Sequence, residues 1–324
     1  MNEFDFIEYL KKKMPRSGQV CVGIGDDAAV LNATPGKQLV VSTDVVVDGV
    51  DFKIKKGVRH HFPIKVPDPF LSPEKIGRKV LAINLSDLAA MGAKPVAFVI
   101  TVGKPKSLST AWLKRFYDGL LKLAKEYDVP CVGGDFSSSK EFFASVTIFG
   151  EASPDQVVKR SGAKLGDWIA VTGTLGGSLM RHHHDFTPRI REGMFLANRR
   201  WAHAMIDISD GLVQDLSHIL KASKVGAVLD LDKIPVSRDA EKMSLGNEEK
   251  ARARALSDGE DFELLFTASP RNKVTLDKEW KKKFPRVPLS WIGRIGGKVS
   301  QISWRRNGKK IAPPKLSQKG FSHF

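Results

Sequence analysis

The chain is poor in cysteine and has no long apolar run. Its 324 residues include only two cysteines, Cys21 and Cys131, which form neither a disulfide framework nor a CxxC pair. We therefore expect buried structural thiols and a reducing, cytoplasmic compartment. No stretch approaches the ~18 apolar residues that a membrane span requires. The N-terminal segment carries acidic residues early and lacks a long apolar core, so we expect no signal peptide.

The sequence also lacks the motifs of several common enzyme classes. It has no GxxxxGK[ST] loop, which argues against an ordinary P-loop kinase, and no GxSxG elbow for covalent catalysis. A relaxed dinucleotide fingerprint does occur as Gly23-x-Gly25-x-x-Ala28. However, Asp26 and Asp27 occupy the turn that should hold the pyrophosphate, and two carboxylates would repel it. The sequence therefore disfavours a Rossmann nucleotide site.

Positive charge predominates, with 52 lysine and arginine residues against 36 acidic residues and a net charge of +16. Much of the excess lies in three segments, 53–65, 278–286 and 305–319. None of them has aromatic side chains interleaved in the pattern of an RNA-binding sheet. We interpret the excess as a solvated basic surface, which also suits a polyanionic small substrate. Nucleic-acid binding is the alternative, and we expect neither a nucleic-acid nor a membrane partner.

Strand-like and helix-like segments alternate along the chain, which predicts an α/β (α+β) fold. Helices are predicted over 3–14, 73–91, 109–127, 210–222 and 248–257, and strands over 38–47, 96–102, 142–151, 168–172, 225–231 and 262–268. The polar, turn-rich stretch 152–167 interrupts this pattern, so we expect two domains, 1–151 and 152–324. The aromatic residues at the C-terminus predict that this end is docked.

Aspartates at the ends of apolar runs are the most informative feature of the sequence. They are Asp26, Asp27, Asp44, Asp87, Asp135, Asp207, Asp210, Asp258 and Asp261. Any one of them is readily explained as a turn or cap residue. Together, converging carboxylates would repel one another and protonate unless a divalent cation neutralised them. Mg²⁺ prefers carboxylate oxygens and shares its other positions with water and phosphate, so the set predicts a Mg²⁺-dependent enzyme that uses ATP.

Asp87 supports this interpretation by its position. It falls near the end of the predicted helix 73–91. A negative charge there is unfavourable by roughly 0.3–1 kcal/mol, because the helix dipole places its negative end at the C-terminus. A helix selected only for stability would carry a lysine, so Asp87 indicates a functional requirement.

Two glycine-rich segments allow a phosphate to approach the backbone closely. They are Gly133-Gly134-Asp135 and the turn GTLGGS at residues 173–178. For the second, a plain strand-to-helix turn is an equal alternative. Arg160, in the interdomain segment, is either a phosphate ligand or an ordinary surface arginine.

The run His182-His183-His184 suggests a metal site at first sight. Adjacent residues on a regular element cannot all face one ion, and no cysteines accompany them. We expect instead that the run is solvated or lies on the substrate side.

Together, the motifs resemble those of the thiamine-monophosphate kinases. GIGDDAAV, STDVVVDGVDF, NLSDLAAMGAKP, GGD, KRSGAKLGDWIAVTG, DISDGL and GEDFELLF occur in the order of that family, and the likeness extends to the terminal KGFSHF. The family belongs to the superfamily of aminoimidazole ribonucleotide synthetase and selenophosphate synthetase. The resemblance implies a two-domain fold like that of aminoimidazole ribonucleotide synthetase. Its N-terminal sheet domain would bind ATP and Mg²⁺ and form a homodimer, and its C-terminal α/β domain would complete the nucleotide and substrate sites.

The resemblance also implies an activity and a set of site residues. The γ-phosphoryl of ATP would pass directly and in line to thiamine monophosphate, giving thiamine diphosphate and ADP in the last step of thiamine diphosphate biosynthesis. By motif match, several Mg²⁺ ions would be held by Asp27, Ser42, Thr43, Asp44, Asp87, Asp135, Asp207 and Asp210. ATP would contact Gly134, Asp135, Arg160 and Ser209, and the thiamine end would contact Asp51, Glu260 and Phe321. The acceptor phosphate is already ionised at neutral pH, so no catalytic base is named.

Three segments depart from the family pattern. Asp51 in GVDF replaces the usual histidine and either pairs with the cationic thiazolium or signals a different acceptor. Residues 53–71 are longer than typical and basic, and form either a lid near the acceptor phosphate or a surface loop. The stretch after GTLGGS is shorter than in many relatives.

Two alternatives to the kinase activity follow from the same residues. The first keeps the fold and changes the acceptor of the ATP-dependent reaction. Selenophosphate synthesis is disfavoured among these reactions because Cys21 lies in an apolar run and not in a reactive position. The second is a catalytically idle nucleotide-binding or nucleic-acid-binding protein. The chain keeps every aspartate of the set, which argues against an idle binding protein. A module that binds polyanions would bind more tightly without those negative charges.

Overall fold

A computed structural model describes residue 9 and residues 12–13, 18–22, 30–54 and 71–317 of the chain. Within these residues, no helix combines the length and the apolar character needed to cross a membrane. The predicted helix 3–14 lies largely outside the described residues, as do most of the basic segment 53–71 and the aromatic C-terminus.

The chain divides into two compact units. The first contains residues 1–88 and 93–154, and the second contains residues 89–92 and 155–324. The boundary predicted at 151/152 lies just before this division. The sequence did not predict that residues 89–92, the turn after the first long helix, join the second unit. They do so because Gly92 packs against Ala197, where a Cβ on the glycine would lie 2.4 Å from the alanine Cβ.

The first unit is a four-stranded sheet with two long helices. Its elements are β1 (Val20–Val22), β2 (Val30–Leu31), β3 (Gln38–Val47), α1 (Pro73–Ala90), β4 (Lys94–Lys104), α2 (Thr110–Glu126), β5 (Cys131–Ser138) and β6 (Phe143–Ala152). The strands of the main sheet lie in the order β3-β6-β4-β5, antiparallel except for the parallel pair β4-β5. Strands β1 and β2 pair with each other. This confirms the predicted strands 38–47, 96–102 and 142–151, whereas β5 was not predicted.

The backbones of helices α1 and α2 touch where the helices cross, because each helix has a glycine at the crossing point. A Cβ on Gly77 would lie 1.9 Å from the Phe116 carbonyl oxygen, and a Cβ on Gly119 would lie 1.9 Å from the Glu74 carbonyl oxygen. Helix α2 begins where predicted, since the Ser109 side chain accepts a hydrogen bond from the Trp112 N–H at 3.1 Å. The two glycines therefore allow the two helices to pack against each other at close range.

The second unit is a seven-stranded sheet with helices. Its elements are β7 (Trp168–Thr172), α3 (His182–Asp185), α4 (Ile190–Asn198), β8 (Ala202–Asp207), α5 (Leu212–Ser223), β9 (Ala227–Asp230), α6 (Arg238–Met243), α7 (Glu248–Ser257), β10 (Leu264–Ala268), α8 (Lys273–Lys283), β11 (Leu289–Ile295), β12 (Ile302–Arg306) and β13 (Lys309–Ile311). The strand order is β13-β12-β9-β11-β7-β10-β8. Only the pair β9-β12 is parallel.

The core of the second unit forms where α5 packs on this sheet. Leu212, Leu216 and Ile219 repeat at helical spacing and are fully buried. The predicted elements at 168–172, 210–222, 225–231 and 248–257 are confirmed within a few residues. The strand predicted at 262–268 begins only at residue 264, because Phe262 has a φ of +48° that does not fit a strand.

Candidate functional site

The first group of predicted ligands forms where β3 meets the end of α1. The Ser42 hydroxyl donates a short hydrogen bond to Oδ2 of Asp87. Helix α1 has no basic residue in its last turn, so nothing on that turn offsets the Asp87 charge. Asp44 lies two residues after Ser42 and therefore on the same face of β3. The structure thus brings Ser42, Asp44 and Asp87 to one side of the sheet, as expected of a shared site.

Thr43 and Asp135 lie on the opposite face. The Thr43 hydroxyl is 3.0 Å from the hydroxyl of Thr147 and donates to the carbonyl of Val146 at 3.1 Å. Asp135 in β5 pairs with Thr101 in β4, and both side chains are exposed. Strands β3 and β5 are the two edges of the sheet, roughly 14 Å apart at three inter-strand spacings. Within one chain, therefore, Asp135 does not share a single ion with the group around Asp87.

The GGD segment is the interior of a strand and not a turn. A Cβ on Gly134 would lie 2.0 Å from the Ile100 carbonyl oxygen of β4. The backbone of β4 therefore passes so close to Gly134 that no side chain fits there. The neighbouring strand gives a structural reason for the glycine, and contact of Gly134 with ATP stays a prediction.

In the second unit, the motifs DISDGL and GEDFELLF meet at the ends of adjacent strands. Asp207 pairs with Leu264 in the β8-β10 ladder. Beyond the ladder, the Glu260 N–H donates to the Ser209 carbonyl at 2.7 Å, and the Phe262 N–H donates to the Ile208 carbonyl at 2.8 Å. The structure thus brings together a predicted metal ligand, a predicted ATP contact and a predicted acceptor contact.

Asp215 and His218 on α5 join this group. One ligand atom each of Asp210, Asp215 and His218 lies within 4.8 Å of the others. The Asp210 N–H donates to Asp215 Oδ2 at 3.0 Å. Burial, together with the nearby carboxylates of Asp207 and Asp210, raises the pKa of Asp215 to about 8. This carboxylate crowding is the situation that a divalent cation relieves.

Sequence reasoning missed Asp215, although a signal was present. The residue lies between Leu212 and Leu216 on the apolar face of α5, where a charged side chain is costly without compensation. His218 follows one turn later and is partly exposed. A carboxylate on a buried stripe directly after a predicted metal motif could have been added to the candidate set.

Two of the aspartates found by sequence, Asp258 and Asp261, hold the GTLGGS turn. The Gly176 N–H donates to Asp261 Oδ1 at 2.8 Å, and the Gly177 N–H donates to Asp258 Oδ2 at 3.1 Å. The Ser178 hydroxyl also donates to Asp261. These backbone amides are thus engaged by the protein's own carboxylates, which favours the structural interpretation of this turn over phosphate binding.

Asp261 is itself completely enclosed. Burial, with a smaller contribution from the carboxylates of Asp258 and Glu263, raises its pKa to about 8. Glu263 is neutralised by a two-point ion pair with Arg189, at 2.5 and 2.7 Å. Among the described residues, Oδ2 of Asp261 has no hydrogen-bond partner. A proton on this oxygen at neutral pH accounts for the burial of the carboxyl group.

The histidine run is packed inside the second unit, which corrects the expectation of a solvated run. His183 and His184 are buried. His183 Nδ1 lies 3.6 Å from Glu260 Oε2. His182 Nε2 lies 2.9 Å from the Asp261 carbonyl oxygen. Contact with Glu260 is compatible with the substrate-side alternative.

The remaining predicted residues differ in how they are held. Asp51 is half-buried, and its Oδ2 accepts the Val47 N–H at 2.8 Å, so it closes a turn after β3. Arg160 is exposed, and its carbonyl accepts the Ser223 hydroxyl at 3.2 Å. Asp27 and Phe321 lie outside the described residues.

Comparison with known proteins shows which protein family the two domains belong to. The family model described as AIR synthase related protein, N-terminal domain, matches residues 25–152, and the corresponding C-terminal domain model matches residues 165–287. The two units thus have the domain organisation of AIR synthase related proteins.

Full-length relatives narrow this class. A thiamine-monophosphate kinase of Rhodopirellula baltica is 35% identical over 333 residues, covering 99% of this chain and 97% of the relative. The crystal structure of thiamine-monophosphate kinase from Stenotrophomonas maltophilia K279a matches with a TM-score of 0.80 and 33% identity, over 96% of this chain and 98% of that one. A structure described as AaThiL complexed with AMPPCP and TMP matches with a TM-score of 0.72 and 29% identity, over 99% and 97%. The chain belongs to the thiamine-monophosphate kinase family.

Proposed function

We propose that this chain transfers the γ-phosphoryl group of ATP to thiamine monophosphate, giving thiamine diphosphate and ADP. The observation that carries the proposal is the match to a thiamine-monophosphate kinase over 99% of this chain and 97% of the relative, so that both domains are shared. The AaThiL complex supports the same pair of substrates, because AMPPCP is an analogue of ATP and TMP is the phosphorylated acceptor.

Mg²⁺ is the metal that fits the candidate ligands. The proposed ligands are Asp27, Ser42, Thr43, Asp44, Asp87, Asp135, Asp207 and Asp210; all of them offer oxygen atoms, the donors that Mg²⁺ prefers, and six are carboxylates. The pKa of Asp215 is raised beside the carboxylates of Asp207 and Asp210, a crowding of acidic groups that a divalent cation would relieve. Thr43 would take part through its main chain, because its hydroxyl bonds to β6. When bound, the ions would screen the repulsion between the two phosphate-bearing substrates.

The chain's own residues would orient the two substrates. Arg160 is exposed and positively charged, which suits an electrostatic contact with the ATP phosphates. Ser209 lies on the loop that ends β8, with its carbonyl fixed by the Glu260 N–H. Alignment of donor and acceptor, together with charge stabilisation, supplies most of the rate enhancement in phosphoryl transfer, and the acceptor phosphate needs no general base.

The acceptor contacts would be Asp51, Glu260 and Phe321. Glu260 is held in a left-handed conformation, with a φ of +53°, by its bond to Ser209. Its carboxylate lies beside His183 and would attract the cationic thiazolium of thiamine. Asp51 uses one oxygen to close its turn, so its charge is fixed in place instead of moving with a flexible side chain.

A homodimer would complete the acidic set. Asp44 and Asp135 lie on the two edge strands of one sheet, too far apart to share an ion within one chain. A second copy placed edge to edge would bring the β3 of one chain to the β5 of the other. Strand β3 also exposes Leu39, Val41 and Val45 on one face, the kind of apolar surface that a partner covers.

One assay tests the proposed reaction. Purified protein with Mg²⁺ and ATP is expected to convert thiamine monophosphate to thiamine diphosphate, with ADP formed in equal amount. ATP turnover only with a different acceptor would keep the fold and discard the substrate. Absence of turnover with any acceptor would favour the idle nucleotide-binding alternative.

A further inference from the structure

Residues 159–164, here called the arginine loop, lie between strand β8 and the end of helix α5. On the β8 side, the Met205 N–H donates to the Lys159 carbonyl at 3.0 Å. Gly162 has a φ of +127°, and a Cβ on it would lie 2.4 Å from the His203 carbonyl oxygen. The main chain of the loop therefore follows this edge strand closely, and a side chain at position 162 would push it away.

On the α5 side, a single hydroxyl group holds the loop. Ser223 is the last residue of α5, and its hydroxyl accepts the Gly162 and Ala163 N–H groups, both at 3.1 Å. The same hydroxyl donates to the Arg160 carbonyl at 3.2 Å. A serine hydroxyl has one hydrogen and two acceptor lone pairs, so these three bonds use its whole capacity.

The far end of the loop is held by a buried carboxylate. Oδ2 of Asp167 accepts the Lys164 N–H at 2.8 Å, and Nδ1 of His203 lies 2.8 Å from the same oxygen. The Asp167 side chain is only 3% exposed. The loop is thus fixed at its start by β8 and at its end by Asp167, so the conformation of its middle depends on Ser223.

This arrangement fixes the main chain of Arg160 and leaves its side chain in solvent. The carbonyls of Lys159 and Arg160 are both hydrogen-bonded, whereas the Arg160 side chain is exposed. An arginine side chain has many rotamers, and a fixed backbone limits the region that its guanidinium group can reach. A ligand that binds the guanidinium then pays less ordering entropy, because the loop is already ordered.

We infer that Ser223 is a positioning residue for the nucleotide. Its hydroxyl holds the arginine loop so that the guanidinium group of Arg160 meets the phosphates of ATP. Ser223 acts through the main chain of the loop, by way of its bonds to residues 160, 162 and 163. The inference rests on the proposed function for the contact between Arg160 and ATP, but the hold on the loop does not depend on it.

The hold on the loop is tested by hydrogen exchange without any ligand. Ser223→Ala is expected to speed exchange of the Gly162 and Ala163 amides about tenfold, because both lose their acceptor. Ser223→Thr keeps a hydroxyl and should restore slow exchange. Ser217→Ala is the matched control, since this exposed serine of the same helix donates to the Gln214 carbonyl within the helix. Equal exchange in Ser223→Ala and the unsubstituted protein would overturn the inference.

The positioning role is tested by calorimetric binding of AMPPCP with Mg²⁺, in the absence of an acceptor. Ser223→Ala is expected to raise the Kd about fivefold, and Arg160→Ala about tenfold, since a charge-assisted contact is weakened or lost. In the Arg160→Ala background, Ser223→Ala should have no further effect, because the side chain that it positions is gone. An unchanged Kd in Ser223→Ala, or a full additional effect in the double variant, would refute the role.

Kinetics distinguish positioning from a general structural effect. In Ser223→Ala the KM for ATP should rise by the same factor as the Kd, while the KM for thiamine monophosphate changes less than about twofold, because the loop faces only the nucleotide. Ser223→Thr should bring the KM for ATP back. An equal rise in both KM values would show that Ser223 is merely structural.

These measurements separate this inference from the proposed function. If the unsubstituted protein binds AMPPCP but does not phosphorylate thiamine monophosphate, the proposed reaction fails, and the binding and exchange results still decide the role of Ser223. If it does not bind AMPPCP, the nucleotide role of Ser223 fails together with the proposed function.

Discussion

The main-chain N–H of Glu260 donates to the carbonyl of Ser209 at 2.7 Å. This hydrogen bond joins two motifs that are about fifty residues apart in sequence. In the proposed kinase, one residue of the pair would contact ATP and the other would contact the acceptor. The main chain, which moves less than side chains, would then fix the distance between the two substrate sites.

Asp44→Asn is expected to lower kcat by on the order of a hundredfold or more, because charge stabilisation of the transferring phosphoryl group is lost. The substitution keeps the size of the side chain, so the thermal unfolding temperature should change little. Steady-state kinetics with ATP and thiamine monophosphate measures the effect, and Asp128→Asn is the control. An unchanged rate would count against the site assignment.

Asp215→Asn is expected to weaken Mg²⁺ binding about tenfold, since one carboxylate of the crowded group beside Asp210 is neutralised. The measurement is the Mg²⁺ concentration that gives half of the metal-induced rise in unfolding temperature. Asp230→Asn, on the same sheet but away from this group, is the matched control. If Asp215→Asn and Asp230→Asn respond to Mg²⁺ alike, Asp215 lies outside the metal site.

The raised pKa of Asp261 makes stability depend on pH in a stated direction. The unfolded carboxyl group ionises near pH 3.9, whereas the folded one keeps its proton until about pH 8. Between these values the folded state binds one proton more than the unfolded state. The free energy of unfolding therefore falls by up to about 1.4 kcal/mol per pH unit as the pH rises, from this group alone.

Asp261→Asn removes this proton and should flatten that dependence. The groups that face Asp261 are the carboxylates of Asp258 and Glu263, which raise its pKa, and the donors Gly176 and Ser178, which lower it. They are present in both proteins, so their own contributions largely cancel. Urea unfolding at pH 5, 6, 7 and 8 measures the difference. The variant is expected to gain stability relative to the unsubstituted chain at each step, and a constant difference would refute the assignment.

Gly134→Ala is expected to destabilise the first unit by about 1–3 kcal/mol, because the new Cβ would overlap the Ile100 carbonyl oxygen of β4. Gly296→Ala adds the same methyl group where nothing lies within 4 Å, and serves as the control. Denaturant unfolding in the absence of nucleotide measures both. Equal stability of the two variants would contradict the close approach of the strands.

Much of the fold was predictable because its signals are local. Ser109 begins α2 as a hydrogen-bond cap, and the apolar residues of α5 repeat at helical spacing, so both helices were found within a few residues. Strand β5 was missed because Gly133 and Gly134 are poor strand formers, and only pairing with β4 keeps them extended. The predicted strand 262–268 starts two residues late for a similar reason, since the hydrogen bond of Phe262 to Ile208 accompanies a left-handed conformation that no strand can contain.

The sequence by itself determined the family, the alternation of helices and strands, and the aspartates at their ends. Only the tertiary structure decided the partners of those aspartates: Asp215 came to Asp210, Asp258 and Asp261 took the amides of a glycine turn, and Asp135 lay on the face opposite Asp44. Helices and strands could be predicted because periodicity and capping act over a few residues of sequence. The neighbour of a carboxylate depends instead on strand order and on which buried N–H group lacks another acceptor.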